Sequence, residues 1–188
     1  MRIETKNMLL RPWKESDAEA LYKYARDERI GPAAGWKPHV SVEDSLNVIR
    51  EVLSAPDTYA LTIRGSDEAI GSIGLIDCRC PDFEEEREIG YWLGVPYWGN
   101  GLMPEAVESM LDYCFDWLGC ERVWCGHYEG NDKSKRVIEK CGFDYAFQRE
   151  TEVVLLGERR TELFYAITRE KWAKRREEQR RLADALVM

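Results

Sequence analysis

Between Glu88 and Ala106 the chain reads Glu-Ile-Gly-Tyr-Trp-Leu-Gly-Val-Pro-Tyr-Trp-Gly-Asn-Gly-Leu-Met-Pro-Glu-Ala. The apolar run with aromatic residues at 91 and 92 predicts a strand over 86–95. Residues 96–103 read as a glycine-containing loop. Pro104 suits the first turn of a helix, where its missing N–H costs nothing. A strand that feeds a helix through Gly99-x-Gly101 gathers unpaired backbone amides and the positive end of a helix dipole at one spot. Such a spot binds an anion, and the glycines let the backbone approach a bulky phosphate. The same pattern also serves as a plain tight turn. No Lys-Ser/Thr follows the glycines, so this is not a nucleoside-triphosphate loop. Pro104, not glycine, stands three positions after Gly101, so it is not a dinucleotide fingerprint.

The rest of the chain predicts what surrounds that segment. Residues 8–12 read as a strand. Ser16 opens a Ser-x-x-Glu capping box, and Leu21, Tyr24 and Ala25 recur at helical spacing. Gly31 to Pro38 reads as a loop containing Trp36. Ser41 and Asp44 form a second capping box, followed by an apolar face of Val42, Leu46, Ile49 and Leu53. Strands are expected over 58–64 and 69–77, with an acidic turn at 80–85. After Pro104, the core stripe is Ala106, Val107, Met110, Leu111, Cys114 and Leu118. A strand at 122–128, a helix at 131–140 and a hairpin of 144–155 with 160–168 follow. A charged helix closes the chain from Arg169. This order predicts a single-domain α/β (α+β mixed) fold, a mixed sheet flanked by helices on both faces, over 1–168, with 169–188 as a charged helical extension.

With 188 residues, the chain suits one domain. Its net charge is −8, and seven basic against three acidic residues between 169 and 181 leave the remainder at −12. So acidic a body repels a phosphate backbone, so no nucleic-acid partner is expected. It suits a cationic partner such as an amine. No apolar run is long enough for a membrane helix, and the first residues lack a secretory pattern. The six cysteines contain no Cys-x-x-Cys and read as reduced core thiols of a cytoplasmic protein. Cys125-x-His127 lacks the second ligand pair that structural zinc needs, so no metal is expected.

Three stretches together resemble the GNAT superfamily of acetyl-CoA-dependent N-acetyltransferases, in the branch that contains the ribosomal-protein N-terminal acetyltransferases. The first is the 88–106 run. The second is Asn131-Asp-Lys-Ser134 leading to Glu139-Lys-Cys-Gly142-Phe143. The third is Leu9-Leu10-Arg11-Pro12-Trp13 with Asp17-Ala18. The resemblance covers roughly 8–168. It implies a mostly antiparallel sheet that splays open between the strands at 86–95 and 122–128, with acetyl-CoA as co-substrate in the gap. Pantetheine would pair with backbone at Trp92, Leu93, Gly94 and Val95. Pyrophosphate would sit on amides at Trp98, Gly99, Asn100, Gly101, Leu102 and Met103, and Asn131 would face the pantetheine arm. Met103 stands where the family has a small residue and would tighten that approach. Ile138 stands where many members carry a tyrosine acid, so no such acid is implied.

Acetyl transfer needs a neutral amine, a polarised carbonyl and a stabilised thiolate. Glu88, at the matching strand position, is the candidate base; the alternative is a solvent-facing carboxylate at a strand edge. Ser134 is the candidate donor to the departing sulfur and a cofactor contact; the alternative is an ordinary first-turn serine. The Leu93 amide would polarise the carbonyl by family analogy. Trp36 and His39 are candidates to wall the acceptor side. Cys125 and Cys141 raise a covalent route, which the family's direct transfer disfavours. The acceptor is a primary amine, either a protein N-terminus or a small molecule, and a homodimer is left open. The competing reading is a non-catalytic acetyl-CoA sensor or interaction protein on the same fold.

Overall fold

The computed structural model describes residues 1–78 and 86–185; the acidic turn expected at 80–85, with Cys80, lies outside them. Eight strands form one sheet in the order β1-β2-β3-β4-β5-β6-β8-β7. They are β1 (Ile3–Glu4), β2 (Met8–Pro12), β3 (Thr58–Ile63), β4 (Gly71–Asp77), β5 (Arg87–Leu93), β6 (Arg122–Tyr128), β7 (Asp144–Val153) and β8 (Glu158–Thr168). Every neighbouring pair is antiparallel except β5 with β6, which is parallel. The α-helices among the described residues are α1 (Ala18–Ala25), α2 (Gly31–Ala34), α3 (Val42–Val48), α4 (Leu102–Asp112), α5 (Asp132–Lys140) and α6 (Arg169–Ala185).

Alternation assigns the two faces of the sheet. Ile89, Tyr91 and Leu93 point to the side of α4 and α5, into a core with Ile73, Val107, Met110, Ile138 and Ile167. Glu88, Gly90 and Trp92 point to the other side, where Leu21 and Ala25 of α1 and Ile49 and Leu53 after α3 form a second cluster with Trp13. Helices therefore flank both faces, and the parallel β5–β6 junction lies between the antiparallel halves.

Local structure departs from the sequence reading at several places. A 3-10 turn at Glu15–Asp17 precedes α1, so Ser16 is exposed and caps nothing. Asp17 braces the 3-10 turn instead: its Oδ2 accepts the Lys14 amide at 2.9 Å while both its oxygens take the Arg11 guanidinium at 2.8 Å. Residues Gly31–Ala34 form a helical turn rather than loop, with Pro32 in its first turn and left-handed Gly35 ending it. Val42 is 40% exposed and drops out of the apolar face at the first position of α3, while Ile49 and Leu53 are buried as expected. A π turn at Tyr113–Trp117 extends α4. Its extra residue shifts the helical register, so Phe115 is buried and Leu118 lies 42% exposed. Finally, β1 is a short edge strand with no expectation behind it. At the second expected box the N-cap forms, with Ser41 Oγ accepting the Asp44 amide at 3.0 Å, a bond worth about 1 kcal/mol, but the Asp44 carboxylate accepts the Val40 amide at 3.0 Å rather than that of Ser41.

No residue of α6 is buried, yet the helix is docked. The Trp172 ring packs 5.1 Å from Phe115, its Nε1 donates to Asp112 at 3.2 Å, and Arg175 reaches Glu108 at 3.1 Å. Among the described residues, no helix is long and apolar enough to cross a membrane.

Candidate active site

Pairing between β5 and β6 consists of Arg87 with Val123 and Glu88 with Trp124. Past that point β5 runs on to Leu93 and β6 to Tyr128 without pairing, so the sheet opens into a cleft. On its other edge β5 stays bonded to β4 as far as Leu93 with Gly71, and Gly94 N–H donates to Ile70 O at 2.8 Å. Alternate residues of a strand bond in opposite directions. The Leu93 amide and carbonyl therefore face the cleft, where the carbonyl accepts Trp98 Nε1 at 2.7 Å.

The chain then makes a 3-10 turn at Val95–Tyr97 and enters α4 through Gly99 (φ +80°) and Gly101 (φ +76°), both left-handed. A side chain there would be strained, although it would meet no atom within 4 Å. The Gly101 carbonyl accepts the Glu105 amide at 3.2 Å, leaving the first amides of α4 aimed past the loop. Leu102 and Met103 are 7% and 5% exposed in the core. Met103 therefore does not narrow the approach to the loop, as expected from sequence; its side chain fills core space instead. Asn100 Nδ2 donates to Tyr97 O and Trp98 O, each at 3.3 Å. Lys133 Nζ sits 3.9 Å from the centre of the Trp98 ring. This cation beside the loop was missed in the sequence, where only helix-end amides were considered for phosphate. An open cleft, a glycine-shaped helix entry and a nearby lysine fit the phosphorylated thioester that the resemblance implies.

Asn131 caps α5, its Oδ1 accepting the Ser134 amide at 3.2 Å. Its Nδ2 donates to Ala33 O at 3.1 Å, so both ends of its amide are occupied within the protein. Ser134 Oγ lies 2.9 Å from the Tyr91 hydroxyl, which also donates to Ser134 O at 3.2 Å. Burial pushes that hydroxyl well above the usual phenol range; Cys125 adds to the rise and the Ser134 bond opposes it. Tyr91 is thus a fixed neutral hydroxyl rather than a ready acid. The sequence placed it only among aromatics of the strand. Ile138 is fully buried, and Cys141 is pushed up to about 12 by burial, which leaves almost no thiolate for a covalent route.

On the opposite face, Glu88 is 1% exposed. The alternative of a solvent-facing edge carboxylate is therefore excluded. Trp92 lies four residues further along that face, stacked 6.5 Å from Trp13 and edge-on to Trp36 at 6.1 Å. His39 lies against Trp36 at 5.3 Å, with Nδ1 2.7 Å from Ser45 Oγ. Burial holds this imidazole below its usual value, against the pull of Asp44. The strand parity places Glu88 and Trp92 on one side, the ring contacts add Trp36 and His39, and Tyr91 with Ser134 stands on the other. The α2 segment straps this region to β6 and β8: Arg160 bonds Pro32 O, and Gly35 abuts the Tyr128 ring so closely that a Cβ would lie 2.9 Å from it. Among the described residues, no group of three or more His, Cys, Asp or Glu could hold a metal.

A family model described as an acetyltransferase (GNAT) domain matches residues 7–144. The uncharacterized N-acetyltransferase YoaA of Bacillus subtilis (strain 168) is 25% identical over 146 residues, 75% of this chain and 81% of its own length. A GNAT-family acetyltransferase structure from Bacillus anthracis superposes with a TM-score of 0.78 at 23% identity, covering 90% of this chain and 99% of that one. The ribosomal-protein-S5-alanine acetyltransferase of Vibrio fischeri gives 0.70 at 20% identity over 92% and 98%. Both likenesses concern the fold.

Proposed function

From the premise that the chain belongs to the GNAT acetyltransferase family and is an N-acetyltransferase, we propose that it moves acetyl from acetyl-CoA directly to a primary amine with Glu88 as base. The observation that carries this reading is the position of Glu88. It is a buried carboxylate on the last residue of β5 that pairs with β6, at the point where the two strands part.

The residues divide the work. The cleft-facing Leu93 amide polarises the thioester carbonyl. Amides from Gly99 to Met103, with Lys133 beside Trp98, hold the pyrophosphate. Gly94 and Val95 continue the cleft edge beyond Leu93. Glu88 takes the proton of the attacking amine, directly or through a water, as the N–C bond forms and the C–S bond breaks. Ser134, oriented by Asn131 and Tyr91, donates a hydrogen bond to the departing thiolate, which leaves as the thiol when the proton held by Glu88 returns to it through solvent. Trp36, Trp92 and His39 wall the acceptor side. The catalytic unit is 1–168, with α6 as an outer buttress.

Calorimetric titration with acetyl-CoA and with desulfo-CoA, followed by an amine screen read by thiol release, tests the proposal. Saturable binding with thiol release that requires an amine is the expected result. No binding at millimolar acetyl-CoA contradicts it.

A further inference from the structure

Two cysteines meet beyond the end of α4. Cys114 lies in the π turn at Tyr113–Trp117 and is fully buried. Cys120 is half-buried on the way to β6. Left-handed Gly119 (φ +72°) turns the chain between them. Leu118 N–H closes the π turn on Tyr113 O at 3.1 Å, and Cys120 N–H then donates to Cys114 O at 3.0 Å. Arg169 holds this turn from α6, its Nη2 donating to Cys120 O at 2.8 Å.

A carbonyl and an amide bonded in this way keep their Cα atoms about 6 Å apart. A disulfide spans roughly 4.4–6.8 Å between Cα atoms, so the backbone already stands at bonding separation. The side chains converge too, each thiol acting on the other as a hydrogen-bond partner. Core packing accounts for Cys78, Cys125 and Cys141, which are buried in apolar clusters. It does not account for a half-buried thiol facing a buried one across a tight turn.

The surroundings set an order of reaction. Burial holds Cys114 well above the usual thiol range. Burial raises Cys120 as well, but there the Cys114 thiol, Arg87 and Arg169 oppose the rise. Cys120 is thus both the more accessible sulfur and the one beside cations, and Cys114 waits behind it.

We propose that Cys114 and Cys120 form a redox modification site, at which hydrogen peroxide converts the two thiols into an intrachain disulfide tying the end of α4 to the entry of β6. The Cys120 thiolate attacks one peroxide oxygen. The O–O bond breaks, and the departing hydroxide takes up the proton that Cys120 gave, leaving a sulfenic acid. The Cys114 sulfur then attacks the Cys120 sulfur, the S–O bond breaks, and the Cys114 proton leaves with that oxygen as water. Two thiols lose two electrons in all, and one peroxide becomes two waters. The cross-link joins the helix that carries the loop amides at its other end to the strand that forms one edge of the cleft, and it restricts the unfolded chain.

The test treats the reduced full chain with excess hydrogen peroxide, blocks remaining thiols with iodoacetamide and maps the products by mass. Trypsin leaves both cysteines on the peptide 88–122. That peptide should be lighter by two hydrogens and carry no alkylation, and after further cleavage at Asp116 its halves should stay joined until reduced. The oxidised chain should melt higher than the reduced one, and dithiothreitol should reverse both changes. Cys120→Ser should abolish the cross-link and the rise in Tm; should that variant fail to fold, the wild-type map and melting curves decide alone. Alkylation of both cysteines after peroxide, arrest at a sulfinic acid on Cys120, or pairing of either with another cysteine overturns the site. A mapped Cys114–Cys120 disulfide that lowers Tm overturns the claim that the native turn accommodates it.

Discussion

On the α4 side of β5, Ile89, Tyr91 and Leu93 sink into a continuous core that also holds Val107, Met110 and Ile138. On the other side, Glu88, Gly90 and Trp92 meet Trp13, Trp36 and an opening. The first face is closed by packing, and what it offers a ligand is backbone at Leu93 and Gly99 to Met103 with the Ser134 hydroxyl. The second offers a carboxylate and aromatic walls drawn from separate segments of the chain. The proposed function divides the work accordingly, with donor recognition by backbone and acceptor recognition by side chains. Substitutions on the two faces should therefore affect different constants.

The largest effect is expected at Glu88. Glu88→Gln keeps the shape of a buried side chain and removes the proposed base, so turnover should fall about 10²-fold or more while acetyl-CoA affinity stays within twofold. A calorimetric loss of acetyl-CoA affinity in this variant would break the division. Gly101→Ala tests the other face. A side chain at φ +76° costs roughly 1–2 kcal/mol, so acetyl-CoA should bind about tenfold more weakly with the amine KM unchanged in steady-state kinetics. Tyr91→Phe removes the hydroxyl bonded to Ser134. It should lower kcat severalfold, and pairing it with Ser134→Ala should cost little beyond Ser134→Ala alone, as a double-mutant cycle would show. The smallest effect belongs to His39. Burial holds its folded-state value below 6.5, so the unfolded chain takes the proton first. Stability should fall as pH drops through and below that value, and His39→Gln should flatten this dependence in melting curves between pH 7 and 5.

Those two faces also differ in how they can be read from sequence. The donor face is local: one stretch from Glu88 to Ala106 carries strand, loop and helix start, so its residue order exposes its chemistry. Lys133 escaped because its meeting with Trp98 joins segments 35 residues apart. On the acceptor face, the burial of Glu88 depends on the packing of its central strand in the assembled sheet. The role of Tyr91 depends on α5 coming to rest beside β5. The register at the end of α4 escapes the sequence for a similar reason. A π turn adds one residue without a composition signature, which put Leu118 where Phe115 belongs. Ser16 looked like a cap because Ser-x-x-Glu is a good local signal, but Asp17 is recruited by Arg11 from a neighbouring strand.

The most direct test of backbone donor recognition is amide hydrogen exchange of the wild-type protein with and without acetyl-CoA. Peptides spanning 91–103 should gain protection, because the Leu93 amide and the loop amides acquire partners, while those spanning 36–48 should change little. Protection confined to 36–48, or none at saturating acetyl-CoA, would contradict the account.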